Sequence, residues 1–217
     1  MMKKATREGK WLMILETILS SISVDGIVNF APMGMHLPDT DPGRSPVKRI
    51  VFRLYPGSQT YENLKATGQG VINFTDDVLV FVETALYSGC PPFVPSQKVR
   101  PPSMAHARTI WEFTVTCFDP STEPAFLEGK IEHREQKGGF EGFCRAQGAV
   151  LEAAIAATRW QWLPIGKIIE SWPLWLEVVE KTGGNREQHA FNKVGNFLGE
   201  KGIQVPRIPW DGRKASL

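Results

Sequence analysis

The period of this chain changes near residue 137. Up to about Gln136 the apolar residues come in short β-branched or aromatic runs bounded by Gly, Pro and Asp; from about Gly139 they recur at helical spacing. Such a chain does not wind strand and helix alternately into a parallel sheet, because no long helices separate the strands of its first half. No G-x-G-x-x-G occurs either, which removes the usual dinucleotide fingerprint. The expected fold is mainly β within an α+β chain. It comprises a small antiparallel barrel or sheet from about residue 10 to 136 and a helical region from about 139 to 204 packed on it.

In the first part, Val28–Met35, Arg49–Leu54 and Gly70–Phe74 read as strands, with Pro38–Pro46 as a loop. Thr109–Phe118 alternates in polarity, and Phe126–Arg134 can pair with it across Asp119–Pro124. Thr60–Thr67 reads as a short helix stopped by Gly68. Asp76–Tyr87 reads as a longer one, capped by its leading aspartates. Tyr87–Ser103 carries five prolines and reads as irregular. In the second part, Phe143–Leu163 is an alanine-rich helix and Arg186–Glu200 another. Between them Ile168–Val179 is amphipathic but holds Pro173, which predicts a kink or a split with Ser171 as a new cap. The tail Val205–Leu217 reads as loop.

A chain of 217 residues is long enough for one large domain, or for one with an appendage. A net charge of +2, with lysines and arginines never grouped beyond a pair, argues against a nucleic-acid partner. Trp11–Ile22 is interrupted by Glu16, Thr17 and serines, so it reads neither as a signal peptide nor as a membrane span. Three well-separated cysteines, Cys90, Cys117 and Cys144, fit neither a disulfide framework nor a metal site, and a reducing, cytoplasmic setting is expected.

The candidate chemistry sits at Arg53-Leu-Tyr-Pro-Gly-Ser-Gln-Thr-Tyr-Glu-Asn63. A strand ends in a Gly turn, hydroxyl residues follow, and a helix begins. Gly57 permits positive φ, Ser58 and Thr60 offer hydroxyls, the first helical turn offers N–H groups, and Arg53 is the nearest cation. That is a cradle for phosphate; it is equally a Pro-Gly turn followed by a Ser/Thr cap. Upstream, Asn29-Phe-Ala-Pro-Met-Gly34 reads either as an exposed backbone edge against which a flat ring can lie or as a strand with a bulge at Pro32. Asn73 and Thr75 stand at a strand-to-helix junction, as ligand contacts or as turn and cap residues. The four histidines share no spacing, and no G-x-S-x-G or clustered acidic motif exists. Trp160, Trp162, Trp172 and Trp175 fall together in the helical part, as core residues or as an interface.

Four blocks in this order and spacing resemble the DUF447 family of archaeal and bacterial proteins. They are Glu16-Thr-Ile with Asn29–Gly34, Gly57-Ser-Gln-Thr-Tyr-Glu-Asn-Leu64, Val71-Ile-Asn-Phe-Thr-Asp-Asp-Val78, and Cys144-Arg-Ala146 leading to Ala157-Thr-Arg159. The family looks like a member of the FMN-binding split barrels, relatives of flavoredoxin and the flavin reductases. The resemblance implies a closed antiparallel barrel that forms a homodimer and binds FMN near the dimer interface. It implies phosphate held by Arg53, Ser58 and Thr60 with Gln59 and Asn63. The flavin ring would lie against Ala31, Pro32, Met33 and Gly34, flanked by Asn73 and Thr75. The Arg-Lys-Asp-Thr-type phosphate run of the flavin reductases is not found here. If a reaction occurs, a flavin-dependent oxidoreduction is expected. The alternatives are a non-catalytic binding or assembly protein, or a pterin or deazaflavin binder linked to tetrahydromethanopterin one-carbon metabolism.

Overall fold

The structure is a computed structural model that describes residues 13–37, 47–139 and 142–209. The expected loop 38–46 lies outside the described residues, as do residues 10–12 and the tail beyond 209. The chain divides into two compact units. One falls within Met1–Thr75 and Pro91–Gly139, the other within Asp76–Cys90 and Phe140–Leu217.

The first unit is a closed antiparallel barrel of order β1-β2-β3-β8-β7-β4. Its strands are β1 (Met13–Ile22), β2 (Val28–Leu37), β3 (Arg49–Leu54), β4 (Gln69–Phe74), β7 (Thr109–Asp119) and β8 (Ala125–Gln136), with helix α1 (Gln59–Thr67) between β3 and β4. The strands expected at 28–35, 49–54, 70–74, 109–118 and 126–134 are all present. The run that was not read as structure, before Ile22, is β1. Its interrupting polar residues are satisfied inside the unit. Thr17 donates to the Met33 carbonyl at 2.9 Å, and Ser20 donates to that of Pro102 at 2.5 Å. A hydroxyl that breaks an apolar pattern is tolerated in a strand when a carbonyl accepts its proton.

Leu19, Met35, Ile50, Phe52, Leu54, Ile72, Phe113 and Leu127 fill the barrel. Phe113 takes the space that two glycines leave on its neighbouring strands. A Cβ on Gly70 would stand 2.5 Å from its ring, and one on Gly129 2.7 Å. Between Pro91 and Met104 the chain is irregular except for a two-stranded ribbon, β5 (Phe93–Val94) with β6 (Ser103–Met104). Fully buried Glu112 anchors this segment, accepting backbone N–H bonds from Gln97 at 2.9 Å, Lys98 at 2.6 Å and Val99 at 3.1 Å. Three donors on one carboxylate compensate much of the cost of burying its charge.

The second unit packs α2 (Val78–Leu86), α3 (Arg145–Thr158), α4 (Ile165–Thr182) and α5 (Asn185–Glu200) around one apolar cluster. Asp77 caps α2 through the Leu79 N–H, as its position predicts. Here α2 groups with the C-terminal helices, whereas the sequence division left it in the first part. Its apolar residues Val78 and Val82 pack in the helical cluster. Helix α4 runs unbroken through Pro173, so neither the split nor the Ser171 cap is formed. Packing overrides the proline here. The preceding residue, Trp172, is buried 4.4 Å from the Phe191 ring, and its Nε1–H donates to the Pro206 carbonyl at 2.8 Å. Of the clustered tryptophans, Trp172 is core, Trp160 and Trp175 are half-buried against it, and Trp162 is 78% exposed.

Candidate functional site

The barrel's ladder is thinnest between β2 and β3, whereas β1 and β4 share three register pairs. Between β2 and β3 a single pair, His36 with Val51, joins the two strands among the described residues. By contrast β2 is paired with β1 along its whole length, and β3 with β8 along its own. Among the described residues the Ala31–Gly34 stretch is therefore paired along its β1 edge and has no ladder pair with β3. A proline at position 32 suits such an edge, since it offers no N–H to a ladder.

Side-chain direction follows from the core. Ile50, Phe52 and Leu54 face inward, so Val51 and Arg53 lie on the outer side of β3. Cross-strand partners share a face, which puts His36 outward with Val51, and Pro32 and Gly34 with it. Ala31 and Met33 belong to the inward set, and Met33 packs against the core. Two residues along from the His36–Val51 pair, the same register would set Gly34 opposite Arg53. The Arg53 guanidinium lies 5.2 Å from the Phe126 ring. It also bears on His36, whose imidazole is held below its ordinary value first by burial and then by the charge of Arg53.

The turn after β3 leads into α1 as its residues predict. Gly57 has φ +82°. Ser58 caps the helix: its Oγ accepts from the Tyr61 N–H at 3.2 Å and donates to the Tyr55 carbonyl at 3.0 Å. Helix α1 is then tied to β1 and β2 by a polar chain. Asn29 donates to Thr60 Oγ1 at 3.0 Å, Gln59 to Asn63 Oδ1 at 2.7 Å, and Asn63 to Ser21 Oγ at 3.0 Å. Thr60 and Asn63 are buried and Ser58 is exposed. Sequence reading selected Thr60, Gln59 and Asn63 but missed Ser21 and the role of Asn29. Their signal was a polar residue at the end of each strand of one hairpin.

The structure thus brings Ala31–Gly34, Arg53 and the start of α1 to the same part of the barrel. Asn73 is one strand removed, beyond β1: it is in register with Ile18, and Ile18 with Pro32. Its amide is engaged within the fold. It donates to the Ile18 carbonyl at 3.0 Å and to Ser20 Oγ at 3.2 Å, and accepts from the Met104 N–H at 2.8 Å. Thr75 follows the last residue of β4. Among the described residues no His, Cys, Asp and Glu cluster fits a metal ion, and no helix is long and apolar enough to cross a membrane.

Gly34 has a neighbour of its own. A Cβ there would stand 2.9 Å from Ile14 Cγ2, so on that side the glycine admits the Ile14 side chain.

A closed six-stranded antiparallel barrel, joined between β2 and β3 by one pair among the described residues and followed by helices, is the fold of the FMN-binding split barrels. The chain belongs to the DUF447 family, described as proteins of unknown function. Residues 15–138 match the family's N-terminal domain and residues 144–196 its C-terminal region. Among solved structures, an FMN-bound protein from Methanosarcina mazei of the same family superposes with a TM-score of 0.72 at 22% identity. The match covers 85% of this chain and 95% of that one. Flavoredoxin of Desulfovibrio vulgaris (Miyazaki F) matches at 17% identity and a TM-score of 0.48, over 63% of this chain and 77% of that one. An FMN-binding protein from Thermus thermophilus, with bound p-hydroxybenzaldehyde, matches at 13% identity and 0.48, over 63% and 81%. No curated protein matches the chain significantly.

Proposed function

We propose that this protein binds FMN on the outer side of the barrel, at the unpaired edge of β2 and the first turn of α1. We further propose that it works as a cytoplasmic homodimer passing electrons through the flavin. The observation that carries this reading is the convergence of Arg53, the Ala31–Gly34 edge and the start of α1, in a family one of whose members holds FMN. The residues fit the group. The Ser58 cap serves the Tyr61 N–H and leaves the Gln59 and Thr60 N–H groups for an anion, with Arg53 as the cation. Thr60 Oγ1 accepts from Asn29, so its own proton is left to donate. Gln59 and Asn63 fix the helix start to β1, and Ser58 supports the turn. Pro32 and Gly34 present backbone to the ring, with Ala31 and Met33 supporting it from the core side. Asn73 and Thr75 flank the site, Asn73 by holding β1 in place.

When bound, FMN supplies the redox chemistry, so the chain's own task is to bind, orient and shield. Exposed Val24, Ile27 and Tyr55 give the barrel unit apolar surface suited to a second copy. The test is FMN titration of the wild type and of Arg53→Ala. The substitution should cost about 2–5 kcal/mol of binding, much of it from phosphate left unpaired. Unchanged affinity in the variant would sink the phosphate assignment.

A further inference from the structure

The chain from Pro91 to Met104 is irregular yet firmly held, and its polar anchors lie on the outer face of the barrel. Glu112 fixes Gln97, Lys98 and Val99. Gln69 Oε1 accepts from the Arg100 N–H at 2.9 Å, and Asn73 Oδ1 from the Met104 N–H at 2.8 Å. Ser20 donates to the Pro102 carbonyl. Ser20, Asn73 and Glu112 alternate with the inward residues Leu19, Ile72 and Phe113, so each points outward. Ile18, Val71 and Ile110 point outward by the same alternation and are nevertheless buried. The segment is therefore a strap over the outer side of β1, β4 and β7.

One end of this strap meets β2. Phe30, Pro32 and Gly34 alternate along β2 and share its outer face. The Phe30 ring is buried, and the Phe93 ring of the strap stands 5.9 Å from it. Asn29, the neighbour of Phe30 in the chain, donates to Thr60 Oγ1 at the start of α1. Phe30 thus has the strap at its ring and the start of α1 one residue away. Phe93 is only partly covered by this contact: it is 46% exposed, and Val94 beside it 38%. The backbone that carries them is fixed all the same. Phe93 and Val94 pair with Met104 and Ser103, and the Ala105 N–H donates to the Pro92 carbonyl at 2.9 Å. An aromatic ring held on such a backbone loses little freedom when a flat ligand meets it, and it brings a large apolar face to the contact.

We infer that Phe93 is the side wall of the flavin site, contacting the isoalloxazine ring that lies on Pro32 and Gly34 and keeping water from its edge. The inference rests on the FMN reading and extends it to a ring contact outside the strands and α1. Its test is titration of the full chain with FMN and with riboflavin, in the wild type and in Phe93→Ala. The substitution should weaken both ligands about tenfold and by the same factor, because both carry the ring. Arg53→Ala should instead weaken FMN more than riboflavin, which has no phosphate. A second measurement does not depend on the variant's folding. A chain carrying para-fluorophenylalanine at position 93 alone should show its fluorine NMR resonance move on adding FMN or riboflavin and stay still on adding inorganic phosphate. Unchanged flavin affinity in folded Phe93→Ala, or an unmoved fluorine resonance in a chain that binds FMN, would overturn the wall and leave the FMN reading standing. A wild type that binds neither flavin would overturn both.

Discussion

The two units bury different things. In the helical unit the described core is apolar, rich in alanine and closed by Trp172 and Phe191. Its one buried polar residue, Thr84, only returns a hydrogen bond to the Val80 carbonyl one turn back, at 2.7 Å. In the barrel unit Thr17, Ser20, Ser21, Thr60, Asn63, Asn73, Ser103 and Glu112 are all buried. Most of them bridge segments far apart in sequence, as Ser20 does to Pro102 and Asn73 to Met104. A core of methyl groups tolerates rearrangement; a core threaded by directional bonds admits one arrangement. The unit that carries the candidate site is thus the one whose geometry is fixed by polar contacts, which is what presenting a ligand requires.

The comparison can be broken most forcefully in the helical unit. Trp172→Ala removes the largest fully buried side chain together with its bond to the Pro206 carbonyl. It should destabilise by about 3–5 kcal/mol, read as a lower urea midpoint in helical circular dichroism. A loss below 1 kcal/mol (roughly the scale of a surface change) would mean the cluster is not the unit's core.

Glu112→Ala comes next. It strands three backbone donors and should cost about 3 kcal/mol. Hydrogen exchange should accelerate at Gln97, Lys98 and Val99 in particular. Uniform protection there would contradict the anchoring role.

The smallest effect is a pH dependence. Because the folded state holds His36 below its ordinary value of 6.5, the unfolded chain binds the proton more readily. Stability should therefore be complete above that value and fall as pH drops through it toward the folded value. His36→Gln should flatten this slope. Removing the Arg53 charge should raise the His36 titration only in part, since burial is the larger cause; a full return to the ordinary value would reverse that ranking.

How much of this was legible in the chain depends on the range of the force involved. Strand β3 and helices α1 and α5 were visible because local signals set them: a β-branched run, a Ser cap, an amphipathic repeat. The β7–β8 pairing was visible from alternation and a short turn. Strand β1 was hidden because Thr17, Ser20 and Ser21 read as interruptions, and only the partners at Met33, Pro102 and Asn63 make them acceptable. The unbroken α4 was hidden for the same reason, since the packing of Trp172 that outweighs Pro173 comes from residues far along the chain. At the site, the turn at Gly57 and the cap at Ser58 followed from their own residues. The thin β2–β3 ladder, which among the described residues leaves Ala31–Gly34 without a pair on that side, is a property of the barrel and has no local signature beyond Pro32.

The most direct test of the account is the visible absorption spectrum of freshly purified protein, before and after adding FMN, with chromatography of any ligand released by heat. The account predicts a flavin spectrum as purified, or a shifted one on titration, with FMN as the released compound. A colourless protein that leaves the spectrum of added FMN unchanged would contradict it. The barrel would stand, and its open edge would belong to a pterin, a deazaflavin or a non-catalytic partner.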